Sequence, residues 1–88
     1  MVIALLHTSK FHVDRFEKIF GEVDGQYSVK HFVNEGLLEY ALNNGMTNSF
    51  QFEEQINIIK KENPSLIICT CSTYGEESDQ VEGVFRID

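Results

Sequence analysis

Eighty-eight residues bound a single small domain, 1–88, and a 42% hydrophobic fraction with seven Phe is enough for a core. A formal net charge of -7 and a pI near 4.8 exclude nucleic acid and anionic membrane surfaces as main partners, because both call for a basic face. No apolar run approaches the roughly 20 residues of a membrane span, and the apolar stretch 2–6 lacks the length and basic flank of a signal peptide. We therefore expect a soluble, cytoplasmic protein. Its two cysteines, spaced C-x-C, do not make a disulfide framework.

Val2-Ile-Ala-Leu-Leu6 reads as a first strand buried on both faces, ending at the polar His7-Thr8-Ser9. A helix follows. Val13, Phe16 and Phe20, with Ile19 alongside, make its apolar face, and Gly21 stops it. Glu22 to Gln26 is a polar turn. Tyr27 to Val33 alternates more than strand 1, which places it at an edge or half exposed. Asn34 then reads as the N-cap of a short helix carrying Leu37, Leu38 and Ala41, closed by Asn43-Asn44-Gly45. Asn48 with Gln51 resembles a capping box for a third helix, from about Ser49 to Glu62. Phe52, Ile56 and Ile59 form its buried face, widened by Ile58, and Asn63-Pro64 ends it.

The third strand is the most informative stretch. Leu66-Ile67-Ile68-Cys69 is apolar and then gives way to Thr70-Cys71-Ser72-Thr73-Tyr74-Gly75. Ser72 or Thr73 can cap the next helix. Cys71 then stands at the carboxyl end of a strand beside a helix N-terminus, whose partial positive charge favours a thiolate. One or two helical turns are expected over Glu76 to Glu82, and Gly83 to Ile87 reads as a fourth strand. Cys69 and the helical Phe residues read as core, His31 as a strand residue with a solvated ring, and His12 as surface.

Alternating strands and helices imply a three-layer α/β/α, flavodoxin-like half-domain with a four-stranded parallel sheet in order 2-1-3-4. That order buries the two most apolar strands. It also brings His7, Thr8 and Ser9 beside Cys71, Ser72 and Thr73, with Asn34 on the flank. Such a crevice suits a small carboxylate. The loop after strand 1 has no glycine to cradle a phosphate, so no flavin or nucleotide is expected, and no metal signature is present.

These residues resemble the aspartate/glutamate racemase superfamily. The likeness rests on His7-Thr8-Ser9, Asn34-Glu35-Gly36-Leu37-Leu38, Cys71-Ser72-Thr73-Tyr74-Gly75 and Arg86-Ile87-Asp88. It spans nearly the whole chain but only the first of the family's two halves. It implies cofactor-independent acid–base chemistry beside a carboxylate, shared between two cysteines on opposite sides of the reacting carbon. Cys71 matches the first-half cysteine. Thr8, Ser9, Ser72, Thr73 and Asn34 would hold the substrate, a small carboxylate or amino acid, and His7 is a further acid/base candidate. The family's second cysteine belongs to the second half and has no counterpart here. Cys69 lies roughly 6.6 Å deeper along the strand and cannot replace it. The usual Asp after strand 1 is replaced by His7 or Thr8.

Two functions follow. The first is the N-terminal half of a cysteine-based racemase or isomerase, inactive in isolation. The second is a non-catalytic half-domain that binds a small anion or associates with another copy. An exposed sheet edge and uncovered apolar surface predict self-association or pairing with a C-terminal half.

Overall fold

The computed structural model describes residues 2–21 and 28–87; the polar turn expected over 22–26 and the expected strand start at Tyr27 lie outside the described residues, as do Met1 and Asp88. The elements run β1 (Val2–His7), α1 (Phe11–Gly21), β2 (Ser28–Val33), α2 (Glu35–Asn44), α3 (Ser49–Lys60), β3 (Leu66–Cys69), a 3-10 turn (Ser72–Tyr74), α4 (Gly75–Asp79) and β4 (Val84–Arg86). All strands are parallel, in the order β2-β1-β3-β4. The fold is the small α/β sheet that the apolar pattern implies. β1 and β3, the two most apolar strands, are central, and β2 is a half-exposed edge.

Alternation along the central strands divides the core between the two faces. Ala4, Leu6, Ile67 and Cys69 pack with Leu37 of α2 and with Phe52, Ile56 and Ile59 of α3. Ile3 and Leu5 pack with Phe16 of α1, joined by Leu66 and Ile68. Helices thus cover both faces. Tyr74 closes the first cluster. It is fully buried, stacks on Phe52 at 5.4 Å, donates to the Leu37 carbonyl at 2.7 Å and accepts from the Asn48 amide at 3.2 Å.

Several boundaries differ from the sequence reading. α3 stops at Lys60 rather than Glu62, and 3-10 bonds continue to Asn63, which adopts a left-handed φ of 57°. Ile19 and Ile58 are exposed instead of widening buried faces. Asn48 caps α3 as expected, its side chain accepting from the Gln51 amide at 3.0 Å. Asn34 holds the N-cap position of α2, but its side chain does not cap. It donates instead to Gln55 Oε1 at 2.9 Å, tying α2 to α3. Ser72 and Thr73 lie inside the 3-10 turn, and Cys71 takes the N-cap position without a side-chain cap bond.

Candidate functional site

The connection from β1 runs through α1 to β2, on one side. The connections into and out of β3 run on the opposite face, towards β4. The chain therefore changes direction between β1 and β3, and the carboxyl ends of such a strand pair open the crevice where α/β sheets take ligands. His7 ends β1 at this point, and Thr70 follows β3 directly opposite.

His7 is fully buried and lies on the α1 face, its ring 5.6 Å from that of Phe16. Both ring nitrogens are engaged. Nδ1 is 2.7 Å from Thr70 Oγ1, and Nε2 is 2.8 Å from His31 Nδ1. His31 in turn places Nε2 2.6 Å from the Glu17 carboxylate on the exposed side of α1. Thr70 Oγ1 also lies 3.2 Å from the Leu6 carbonyl. The result is a continuous line, Thr70–His7–His31–Glu17, from the crevice to the surface. His12 stacks over His7 with centroids 6.4 Å apart. Burial pushes the His7 pKa down to about 4, helped by the neighbouring His31 and His12.

Beside this line is an open hollow of about 270 Å³, lined by His12, Arg15, Phe16, Thr70, Ser72 and Ile87. Its lining includes one arginine and one serine, donor types that a carboxylate takes.

The expected residues separate. Ser72 lines the hollow. Ser9 stands just ahead of α1, its Oγ accepting from the Phe11 amide at 3.3 Å. Thr8 is buried, and Thr73 is exposed on the 3-10 turn. Asn34 lies across the sheet, in a hollow with Gln51, Glu54 and Gln55. Cys71 is half-buried and packs against the α2–α3 core cluster, so strand alternation directs it away from His7 and Thr70. Cys69 is fully buried core as expected, and burial pushes its thiol pKa up. Both cysteines are free.

Three residues of this arrangement escaped the sequence reading. His31 is not a solvated ring: its side chain is 14% exposed and bonded at both nitrogens. His12 is half-buried against His7. Thr70 was hidden inside the Cys-Thr-Cys run. The available signal was register: once β1 and β2 pair in parallel, His7 and His31 stand on adjacent strands two positions out of register, at Leu5↔His31 and His7↔Val33. Comparison of the chain with known protein families, with curated proteins and with solved structures gives no match.

Proposed function

We propose that this protein binds a small carboxylate, such as an amino acid, in the hollow at the carboxyl ends of β1 and β3. The observation that carries the reading is that Arg15, Thr70 and Ser72 line one hollow at the carboxyl ends of β1 and β3, where the strand connections change sides. A guanidinium offers a planar fork for a carboxylate, and the Ser72 hydroxyl supplies a further donor. The test is an NMR titration with succinate or glutamate. Amide shifts should gather at Arg15, Ser72 and Ile87, and Arg15→Gln should abolish them. Shifts that survive Arg15→Gln, or that gather elsewhere, overturn the reading.

A second reading is supported by Cys71, a free, half-buried thiol one peptide bond from Thr70. In it the chain is the first half of a cofactor-independent racemase or isomerase, and the second acid/base group comes from a C-terminal half or another copy. Residues 1–88 alone then turn over no substrate. Exchange of a substrate α-proton in heavy water, abolished by Cys71→Ser, would show that one half suffices and refute that expectation. Two free thiols favour a reducing compartment, the cytoplasm. Exposed Phe11, Phe50 and Phe85 favour self-association as the route by which a second copy is brought near.

A further inference from the structure

The Thr70–His7–His31–Glu17 line admits two complete hydrogen-bond patterns. In the first, both histidines are neutral and every donor points outward. Thr70 Oγ1–H donates to His7 Nδ1, His7 Nε2–H donates to His31 Nδ1, and His31 Nε2–H donates to Glu17. In the second, Thr70 donates to the Leu6 carbonyl and His7 Nδ1–H donates to Thr70. His31, now protonated at both nitrogens, donates to His7 Nε2 and to Glu17. The two patterns use the same heavy-atom positions and differ by one proton, held on His31 beside a carboxylate.

We infer that this line is a proton relay that makes Thr70 Oγ1 a nucleophile for acyl transfer, with esters of small carboxylated acids as the substrate class. The choice of a carboxylated acyl group rests on the anion reading above; the relay itself does not. Thr70 both ends the relay and lines the same hollow as Arg15. In the first step Thr70 Oγ1 bonds to the acyl carbon, and its proton moves to His7 Nδ1. The proton on His7 Nε2 moves to His31 Nδ1, which leaves both histidines protonated as in the second pattern, with the acyl carbon on Thr70 Oγ1 where the hydroxyl proton stood. The ester C–O bond then breaks, and the alcohol leaves with the proton returned along the same path. Water repeats the sequence on acyl-Thr70, releasing the acid and regenerating the hydroxyl. The low proton affinity of buried His7 suits a conductor rather than a resting place for charge, because the charge comes to rest on His31 next to Glu17. Thr70 is the catalytic nucleophile and His7 its base; His31 and Glu17 are positioning residues that take up the charge.

The probe is the mono-p-nitrophenyl ester of succinic acid, with p-nitrophenyl acetate as the ester lacking a carboxylate. Intact-mass and fragment analysis should find one succinyl group on Thr70, with release of p-nitrophenol. Thr70→Val, which keeps the side-chain shape, should lose the label. Glu17→Gln, at an exposed position, should slow release and shift its pH profile, a readout that a purely structural ion pair would leave in place. A label on Cys71 or a lysine with Thr70 unmodified overturns the inference, as does equal release by Thr70→Val or no release above buffer. If succinate binds but Thr70 is not acylated, the relay falls and the anion reading stands. If the acetate and succinate esters label Thr70 equally, the anion reading falls and the relay stands.

Discussion

A histidine with no exposed surface and two engaged nitrogens has little room for an extra proton. Free in the unfolded chain, His7 takes that proton near pH 6.5; folded, it resists until about pH 4. Between those values the unfolded state binds more protons, so stability present above pH 6.5 is lost as the pH falls towards 4, by about 3 kcal/mol. Urea denaturation at both ends of this window should show the loss in the parent and a smaller one in His7→Gln; equal losses would refute the account. Tyr74 makes a second residue-scale case. Its hydroxyl serves the Leu37 carbonyl and the Asn48 amide inside a sealed core, and Tyr74→Phe strands both groups. A loss of about 1–3 kcal/mol in the same assay is expected. At this scale the sequence was a partial guide. The apolar runs identified Cys69 as core, but nothing in the local pattern joined Thr70, His7 and His31, which lie up to 63 positions apart.

Helix ends are where local sequence spoke most directly. Asn48 and Gln51 marked the start of α3, and the observed cap bond makes Asn48→Ala cost about 1 kcal/mol. Gly45 follows α2 in a left-handed conformation with φ of 68°, and its amide bonds the Ala41 carbonyl. A Cβ there would meet no atom within 4 Å, so the cost of Gly45→Ala, about 1 kcal/mol, comes from the backbone alone. Both losses should appear as lowered urea midpoints with unchanged slopes. Where capping residues had a tertiary partner on offer, the local rule failed. Asn34 stands at the start of α2 yet spends its amide on Gln55, because a bond between helices is available once α2 and α3 pack together. Ser72 or Thr73 can cap a helix by local rule, but the chain turns one residue earlier and draws both into the 3-10 turn.

The whole sheet was legible because β1 and β3 carry apolar residues on both faces and so must be central. The site was legible only as an edge of that sheet: the carboxyl ends of β1 and β3 follow from strand order, whereas the face each side chain takes depends on register. At the far edge β4 is only three residues long, and Phe85 is 59% exposed beside exposed Arg86 and Ile87. That uncovered apolar surface should drive association, seen as a concentration-dependent sedimentation coefficient at micromolar protein and reduced by Phe85→Lys; a constant monomeric value would count against it. Alternation after β3 has one more consequence. Thr70 meets an imidazole on one side of the sheet while the neighbouring thiol of Cys71 turns to the other. A single Thr70→Cys replacement would set sulfur where the hydroxyl now stands, and the scaffold lies one substitution from a cysteine–imidazole dyad. For laboratory evolution, this makes it a starting point from which oxygen and sulfur nucleophiles can be compared on an otherwise unchanged framework.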